Sequence, residues 1–489
     1  MKLDHRNMLS EGDDPLLAEI EHWRDLLARN LALRNPDLKL AEMNFAVQVT
    51  LDRILFLRIC EERGLEPEGR LRELLSGGQI YTRLCDLFRQ AERRYTSGLF
   101  HFKAEKGSSS PPDSLTLRIK ADDRALARVI RGLYSPSPFV FSEIPVEILG
   151  QVYERFLGNA IRLTPAHQAR IEEKPGVRAA GGVYPASAWI VAEIVKNTVG
   201  RLVEGKTPQE TQWLKILDPA CGSGSFLLEA YQYLLDWHLK WYSLHDPVKY
   251  ASDRVPEIYR PRDGGWKLTI AEKKRILLNN IKGVDIDPQA VEVTRFLLSL
   301  KVLEGESGKS LESQLDLSME RLLPDLGLNI QCGNSLIGPD YYGSGQLSMK
   351  FWDEQERSRV NAFNWRTAFP QIFIAGGFDA VIGNPPYKQI RMTKESAPVK
   401  GEYFRKNYIT ASKGMDNKYA MFVEKGLELL NKNGRLGFLL PADCLSVEHD
   451  EGLQKLISER KIHSQTIDLD QVEGFKQSTV ATCLLFLNG

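Results

Sequence analysis

The apolar positions follow two different periods in the two parts of the chain. Up to about residue 157, leucine, isoleucine, valine and phenylalanine recur at helical spacing among glutamate and arginine, which predicts amphipathic helices. The predicted helices are 17–30, 45–63, 71–75, 80–95, 122–134 and 145–157. From Gly181 onward, short apolar runs alternate with helical segments, a pattern typical of a parallel sheet covered by helices.

Seven short apolar runs in the second part predict the strands of this sheet. They are 215–218, 281–284, 329–331, 378–382, 435–440, 467–469 and 480–487. Helices are predicted between them at 226–235, 289–303 and 417–430. The expected architecture is therefore an α/β fold preceded by an all-α helical domain, with the boundary near residue 175.

Length and composition exclude several classes of protein. A chain of 489 residues with 43% hydrophobic and 26% charged residues is expected to form two or three globular domains. The sequence has no run of eighteen apolar residues and no signal-peptide core, so a cytoplasmic protein without a membrane anchor is expected. The six cysteines include no CxxC pair and the eight histidines form no HExxH cluster, so neither disulfides nor a zinc site is indicated.

The sharpest chemical signal is the NPPY turn that follows the fourth predicted strand. Gly383, Pro385 and Pro386 cannot continue a central strand, so Asn384 and Tyr387 are expected on a stiff turn at its carboxyl end. The side-chain carbonyl of Asn384 and the backbone carbonyl of Pro385 can both accept hydrogen bonds from one exocyclic amino group. Tyr387 adds an aromatic face. These residues predict a pocket for a planar ring that carries an amino group, and the alternative is a purely structural turn.

A second candidate site begins where the first predicted strand ends. The loop Pro219–Ser225 contains two glycines, so its backbone can approach a ligand, and the next helix offers unpaired N–H groups to an anion. Asp285, at the end of the second strand, could bind a ribose diol, and Asn334, after the third, could meet an adenine ring. Both have structural alternatives, since Asp285 could cap a helix and Asn334 could form a turn. Neither a P-loop nor a GxGxxG motif is present.

A basic region follows the NPPY turn. Residues 388–418 hold eight basic and three acidic residues, interleaved with Tyr403, Phe404 and Tyr408. Because the whole chain has 64 basic and 64 acidic residues, affinity for a polyanion must come from such a local patch. A solvated loop is the alternative. Two triplets, at 104–106 and 172–174, fit a nuclease metal site only loosely.

Four motifs, in this order, resemble those of the gamma-class DNA adenine-N6 methyltransferases. They are DPACGSGSF (Asp218–Phe226), GVDIDPQAV (Gly283–Val291), GNSL (Gly333–Leu336) and IGNPPY (Ile382–Tyr387). Three segments of the first part are similar to the helical region of type IIG restriction-modification enzymes: FLRICEERG (Phe56–Gly64), SGLFHF (Ser97–Phe102) and PVEILGQVYERFLG (Pro145–Gly158). The resemblance covers about residues 25–489. It implies a helical connector domain over residues 1–175 and a Rossmann-like class I methyltransferase domain over residues 176–489.

The resemblance implies S-adenosylmethionine as the cofactor and assigns site residues by position. The implied cofactor-binding residues are Tyr184, Asp218, Ala220, Gly222, Gly224, Phe226, Asp285, Ile286, Asn334, Ser335 and Asn384. The implied catalytic residues are Asn384, Pro385, Pro386, Tyr387 and Phe475, the last at the position of an aromatic that stacks on a flipped base. The segment 182–189 (GVYPASAW) departs from the family pattern at Pro185 and Ala186. No metal is implied.

The implied reaction is methyl transfer from S-adenosylmethionine to N6 of a flipped adenine in duplex DNA, within a restriction-modification or phage-defence system. Double-stranded DNA is the expected partner. No nuclease domain is recognisable before the helical part and no target-recognition domain follows Gly489, so a separate or missing part is expected to supply them. Two alternatives remain open: a methyltransferase acting on protein glutamine or on RNA guanine, and a DNA-binding subunit that keeps the fold without activity.

Overall fold

The computed structural model of this protein describes most of the chain in segments. These are residues 15–95, 98–104, 111–134, 139–174, 186–261, 264–315, 322–343, 354–387, 389–390, 398–411, 416–445, 451–459, 464–468 and 482–488. The chain divides into two compact units. The first comprises residues 1–185, 246–274 and 292–327, and the second comprises residues 186–245, 275–291 and 328–489. The first unit thus takes in two later segments besides the amino-terminal part.

Helices form most of the first unit. The second unit has its own helices, which pack on its sheet. In chain order, the α-helices of the described residues are α1 (Pro15–Arg34), α2 (Leu40–Glu62), α3 (Arg70–Glu73), α4 (Ile80–Tyr95), α5 (Asp123–Gly132), α6 (Val146–Leu157), α7 (Ala188–Val195), α8 (Arg201–Val203), α9 (Pro208–Thr211), α10 (Ser225–Leu244), α11 (Pro247–Ser252), α12 (Ile270–Asn280), α13 (Pro288–Val302), α14 (Gly308–Leu315), α15 (Glu354–Val360), α16 (Trp365–Ala368), α17 (Pro370–Ile374), α18 (Pro398–Asn407), α19 (Lys418–Leu429) and α20 (Glu451–Glu459). A π-helical turn, Lys196–Gly200, continues α7. Every helix predicted from the sequence overlaps one of these. Most ends shift by a few residues, but α2 begins at Leu40 and not at 45, and α10 continues to Leu244, nine residues beyond its predicted end.

One sheet organises the second unit. The strands are β1 (Asn159–Leu163), β2 (Ala169–Glu173), β3 (Ile216–Asp218), β4 (Ile258–Tyr259), β5 (Lys267–Leu268), β6 (Ile281–Asp285), β7 (Ile330–Cys332), β8 (Phe378–Gly383), β9 (Gln389–Ile390), β10 (Asp416–Asn417), β11 (Leu430–Pro441), β12 (Ser464–Asp468) and β13 (Thr482–Asn488). Seven of them form a sheet in the order β12-β13-β11-β8-β3-β6-β7. From β11 to β7 the neighbours are parallel, whereas β13 is antiparallel to β11 and to β12. The α/β prediction is confirmed, and each predicted strand overlaps a strand of this sheet.

Both faces of the sheet are covered by helical segments. Consecutive residues of β11 point to opposite faces, so Leu436 and Gly437 show what packs on each face. Gly437 faces the π-helical turn, where an added Cβ would come within 2.7 Å of Thr198 Cγ2. On the other face α19 packs so closely that a Cβ on Gly426 would come within 2.6 Å of Leu436 Cδ1. Burial on both sides explains the nearly continuous apolar runs that predicted these strands.

Buried polar contacts tie the segments of the first unit together. The buried guanidinium of Arg53 donates to the carbonyl of Leu99 at 2.7 Å, to the hydroxyl of Thr116 at 2.7 Å and to the carboxylate of Asp113 at 2.8 Å. These bonds join α2, which carries the FLRICEERG motif, to the SGLFHF segment. The Leu99 contact therefore gives the SGLFHF segment a role in packing.

The sequence pattern did not predict the hairpin of β1 and β2 in the helical part. Ile161 and Ala169 are the buried residues of these two strands. Each strand is only five residues long, so the brief alternation of apolar and charged residues in β2 does not stand out from the helical pattern around it. Of the two nuclease-like triplets, 172–174 lies on and just after the largely exposed β2, and 104–106 extends beyond the described residues. Over the described ranges, every helix is too short or too polar to cross a bilayer.

Candidate functional site

The motif residues of the second unit lie at one edge of the seven-stranded sheet. β8, β3, β6 and β7 are parallel neighbours, so their carboxyl ends meet at the same edge. Asp218 ends β3 and Asp285 ends β6, while Asn334 follows β7 and Asn384 follows β8. The fold therefore brings four motifs that are distant in sequence to one place, the edge at which ligands bind in open α/β sheets.

Two glycines in left-handed conformations shape the loop after β3. Gly222 has a φ of 54° and Gly224, immediately before α10, a φ of 87°. Asp218 Oδ1 accepts a hydrogen bond from the Ala220 N–H at 2.9 Å, which turns the chain at the end of the strand. A Cβ on Gly222 would find no other heavy atom within 4 Å, so the loop lines open space near the amino end of α10. Phe226 is buried in the first turn of that helix.

Asp285 holds the glycine loop in place. Its Oδ2 accepts a hydrogen bond from the Gly222 N–H at 2.9 Å, and its Oδ1 accepts one from the Asp287 N–H at 2.8 Å. It is Asp287 that accepts from Gln289 in the first turn of α13, at 2.9 Å. Asp285 is only partly buried and Ile286 is 50% exposed, so both border the open side of the loop.

Both ends of the Asn334 amide are used within the protein. Its Oδ1 accepts a hydrogen bond from the Leu336 N–H at 3.1 Å, and its Nδ2 donates to the Val360 carbonyl at 3.2 Å. This is the turn-forming alternative, and it leaves one amide hydrogen and one lone pair for a ligand. The next residue, Ser335, is buried and donates to the Pro219 carbonyl at 2.5 Å. The segment after β7 therefore braces the glycine loop.

Asn384 is presented differently from the other polar residues of this edge. It is half-buried, and within the described part of the chain its side chain forms no hydrogen bond to the protein. Pro385 is buried and Pro386 is exposed, so the turn is packed on one side and open on the other. Gly383, the preceding residue, lies against the Asp218 carboxylate. Asn384 thus follows a residue in contact with Asp218, which immediately precedes the glycine loop.

Tyr387 turns its hydroxyl into the protein. Its ring packs against the hydrophobic cluster built on β8, β11 and β13, and the buried hydroxyl has no hydrogen-bond partner among the described residues. Burial, and more weakly the thiols of Cys483 and Cys444, raise the pKa of Tyr387 above its usual range. Tyr387 therefore presents no group that exchanges protons near neutral pH.

A lysine with a strongly altered pKa lies at the opposite edge of the sheet. Burial, followed by the charge of Lys215, lowers the pKa of Lys282 to about 7. The two ammonium groups donate to carbonyls at the end of α12, Lys282 to Leu278 at 2.6 Å and Lys215 to Asn279 at 2.8 Å. Cations are favoured at a helix carboxyl terminus, so both lysines have a structural role. Their place at the amino ends of β3 and β6 separates them from the site.

Two residues implied by the family resemblance, Tyr184 and Phe475, lie outside the described residues. Ala186, two residues after Tyr184, is buried. Phe475 lies in the segment that joins β12 to β13, two antiparallel neighbours. The assignment of Tyr184 to the cofactor and of Phe475 to the flipped base stays a prediction.

Two aromatic residues support the site without belonging to any motif. The Trp365 indole N–H donates to the Ser335 carbonyl at 3.1 Å, and the Tyr408 hydroxyl donates to the Leu336 carbonyl at 2.7 Å. Both therefore hold the segment that braces the glycine loop. Trp365 lies in the connection before the NPPY turn, where no spacing signal marks it. Tyr408 lies in the basic region after that turn, where the sequence predicted contact with a polyanion, whereas the structure buries the side chain.

The chain is similar in sequence to several known proteins. Residues 279–475 match the family described as Eco57I restriction-modification methylase. Over 488 residues, 100% of this chain and 45% of the relative, the chain is 31% identical to the type II restriction enzyme and methyltransferase RM.Eco57I of Escherichia coli. The chain is also 26% identical over 271 residues to the adenine-specific methyltransferase BrxX of Escherichia coli O9:H4 (strain HS). This match covers 48% of this chain and 19% of that protein.

The fold is similar to that of the type IIL restriction-modification enzyme MmeI, solved in complex with DNA. The TM-score is 0.52 at 15% sequence identity, and the match covers 96% of this chain and 56% of that one. At such low identity the likeness concerns the fold alone. The chain spans less than half the length of the two curated relatives. The chain is thus similar to the Eco57I restriction-modification methylases over residues 279–475, and to RM.Eco57I over nearly the whole length of this chain.

Proposed function

We propose that this chain transfers a methyl group from S-adenosylmethionine to the exocyclic N6 of an adenine rotated out of duplex DNA. The observation that carries the proposal is the half-buried Asn384, whose amide has no protein hydrogen bond within the described residues and which follows Gly383, a residue in contact with Asp218. With the Pro385 carbonyl it offers two acceptors to one amino group. A base can reach such a turn only after leaving the duplex stack.

S-adenosylmethionine is the cofactor of this methylase family, and the residues at the sheet edge fit it. The open space at Gly222 and the amino end of α10 suit the carboxylate of its amino-acid end. The Asp285 carboxylate suits the ribose diol, and the exposed Ile286 offers an apolar surface to the base. When bound, the cofactor supplies an electrophilic methyl group, because its sulfur carries a positive charge.

Asn384 and Pro385 act on the amino group of the target base. The N6 lone pair of adenine is delocalised into the ring, which makes this nitrogen a poor nucleophile. Acceptors for both N6 hydrogens favour a pyramidal nitrogen and stabilise the positive charge that develops on it during methylation. The extra proton leaves N6 for solvent, and the Tyr387 hydroxyl, which is buried and protonated, takes no part. Positioning supplies most of the rate enhancement.

The described part of the basic region supports DNA as the substrate. Arg405 and Lys406 are exposed on α18, while the aromatic residues of the same helix are buried. The buried Glu424 of α19 accepts hydrogen bonds from the N–H groups of Ile409 and Thr410 at 3.0 and 2.9 Å, which fixes the end of this segment. Two cations on a fixed helix after the NPPY turn suit the phosphates of a nucleic acid.

We further propose that target recognition and any cleavage belong to other parts, on a longer chain or a separate subunit. The site described above reads the amino-bearing edge of one base, and α18 meets the phosphate backbone, so neither selects a sequence. RM.Eco57I, whose name joins restriction and methyltransferase activities, is more than twice as long as the region matched here. The proposed place of action is the cytoplasm.

Transfer of tritium from labelled S-adenosylmethionine tests the proposed substrate. Duplex DNA, RNA and protein are offered in parallel, and hydrolysis of the labelled product identifies the acceptor. We expect label in DNA as N6-methyladenine. Label in protein glutamine or RNA guanine would support a methyltransferase of another class. DNA binding without any transfer would support an inactive subunit.

A further inference from the structure

We propose that Cys444 and Cys483 form a thiol–disulfide modification site behind the NPPY turn, and that its oxidation by a peroxide lowers the methyl-transfer rate. The two Sγ atoms lie 3.6 Å apart, and no disulfide joins them. Both side chains are buried, with 0% and 3% of their surface exposed. A disulfide bond is about 2.05 Å long, so the sulfurs must approach by roughly 1.5 Å, which small side-chain rotations can supply.

The sheet sets this distance between the two thiols. Cys483 lies near the start of β13 and pairs with Leu440 of β11. Cys444 follows four residues after Leu440, on the 3₁₀ helix Ala442–Leu445 that begins where Pro441 ends the strand. The Cys483 thiol also donates to the Pro441 carbonyl at 3.5 Å. A disulfide would therefore lock this short helix onto β13, on the antiparallel side of the sheet.

Tyr387 connects the two thiols to the proposed base pocket. Its ring packs against the hydrophobic cluster that contains both cysteines, and its buried hydroxyl has no hydrogen-bond partner among the described residues. The two thiols are also the neighbouring groups that add to the effect of burial on its pKa. Because protein interiors are close-packed, drawing two sulfurs together beside this ring displaces it. Asn384 lies three residues away across two rigid prolines, so the displacement reaches the proposed acceptor.

A peroxide balances the oxidation as a two-electron oxidant. With hydrogen peroxide, one thiol sulfur attacks an oxygen, the O–O bond breaks, and a sulfenic acid and water form. The second thiol sulfur attacks the sulfenic sulfur, the S–S bond forms, and a second water leaves. Dithiothreitol reverses the reaction by thiol exchange. Because both thiols are buried, the oxidant reaches them only when the segment opens locally, so the reaction is slower than at the exposed Cys332.

The test uses hydrogen peroxide on the full chain carrying Cys332→Ser, which removes the exposed thiol. Peptide mass spectrometry measures the crosslink, and tritium transfer to duplex DNA measures the rate. We expect a Cys444–Cys483 crosslink, a loss of methyl transfer of about tenfold or more, and recovery with dithiothreitol. In the same background, Cys444→Ala should form no crosslink and keep its rate in peroxide. Cys483→Ala serves as a second variant with the same expectation.

Three results would overturn the proposal. They are no crosslink in the parent, a crosslinked parent that keeps its full rate, and a loss of rate in both alanine variants that equals the loss in the parent. The rate measurement rests on the proposed function, whereas the crosslink does not. If the reduced protein transfers no methyl group to DNA, the proposed function fails. The dithiol site is then judged by the crosslink together with hydrogen exchange of the peptide that contains Tyr387, which must change on oxidation.

Discussion

The α-carbon of Gly383 lies directly against the carboxylate of Asp218. A Cβ at residue 383 would come within 2.7 Å of Asp218 Oδ1 and 3.2 Å of Oδ2. The same Oδ1 accepts a hydrogen bond from the Ala220 N–H, so this contact joins the turn that carries Asn384 to the glycine loop. The spacing between the proposed methyl-donor and methyl-acceptor sites therefore depends on the absence of one methyl group at position 383.

Gly383→Ala is expected to lower the free energy of unfolding by about 2–4 kcal/mol and to weaken binding of S-adenosylmethionine. The added methyl group collides with a buried carboxylate, and a φ of 151° is strained for alanine. Urea unfolding and calorimetric titration measure the two effects. Gly205→Ala is the control, since Gly205 has a φ of 73° and open space at its Cβ. Gly205→Ala adds backbone strain alone, which costs about 1 kcal/mol of unfolding free energy. If both substitutions weakened cofactor binding equally, the contact between residue 383 and Asp218 would be contradicted.

Tyr387→Phe is expected to keep the methylation rate and to leave stability unchanged or raise it by up to about 1 kcal/mol. The substitution removes a buried hydroxyl that has no partner among the described residues and preserves the ring. Tyr408→Phe is the matched contrast, because the Tyr408 hydroxyl donates to the Leu336 carbonyl at 2.7 Å. Its loss should cost about 1 kcal/mol in urea unfolding. A larger cost for Tyr387→Phe would contradict the orientation of this side chain.

Asp52 is expected to make the stability of the first unit depend on pH. Its buried carboxylate accepts hydrogen bonds from the Tyr153 hydroxyl at 2.6 Å and from Gln48 Nε2 at 2.8 Å. Burial is the largest cause that raises the pKa of Asp52 from 3.8 to about 7. Between these values the folded chain keeps a proton that the unfolded chain loses. The stabilising contribution is therefore complete below about pH 4 and is lost as pH rises through about 7.

Asp52→Asn should consequently be more stable than the parent at about pH 8, by on the order of 2 kcal/mol, and nearly equal to it at about pH 4. Asparagine keeps an acceptor for Tyr153. The side-chain amide of Gln48 can turn over, so that its Oε1, which is buried without a partner among the described residues, accepts a hydrogen bond from the amide nitrogen introduced at position 52. Urea unfolding of both proteins at the two pH values measures the difference. A difference that does not vary with pH would exclude Asp52 as its source.

Arg405→Gln and Lys406→Gln are each expected to weaken binding to duplex DNA and to reduce the slope of log K against log salt by about 1. Each substitution removes one exposed cation from α18. Lys240→Gln is the control, because Lys240 is exposed near the end of α10, a helix that starts at the site edge and runs away from it. Fluorescence anisotropy of a labelled duplex between about 50 and 200 mM salt measures the slope. An unchanged slope in both α18 variants would place the phosphate contacts elsewhere.

Much of the fold follows from local pattern. The apolar runs of β3, β6, β8 and β11 are buried on both faces and end at glycine, proline or aspartate. Adjacent residues therefore indicate both the strand type and the carboxyl end of each strand. The motif series also predicted which strand ends meet, since parallel strands share one edge. By contrast, β1 and β2 are five residues long and bury one residue each, so any alternation in them is too short to indicate a strand.

The roles of several site residues could not be predicted, because they depend on contacts between distant segments. No residue near Asn334 in the sequence indicates that its Nδ2 donates a hydrogen bond to the carbonyl of Val360, twenty-six residues later. In the same way, the support given by Trp365 and Tyr408 arises only once the chain is folded. The buried hydroxyl of Tyr387 is a further example, since the motif specifies the ring but not the direction in which its polar end points.

Methyl transfer by variants of Asn384 tests the central claim most directly. The single-turnover rate of tritium transfer to duplex DNA and the calorimetric affinity for S-adenosylmethionine are measured for the parent, Asn384→Ala and Asn384→Asp. We expect Asn384→Ala, which removes an acceptor for the N6 hydrogens, to lower the rate by at least about 100-fold with little change in cofactor affinity. Asn384→Asp keeps acceptor oxygens and should retain more activity than alanine. An Asn384→Ala variant that methylates DNA at the parental rate would contradict the proposed role of this residue.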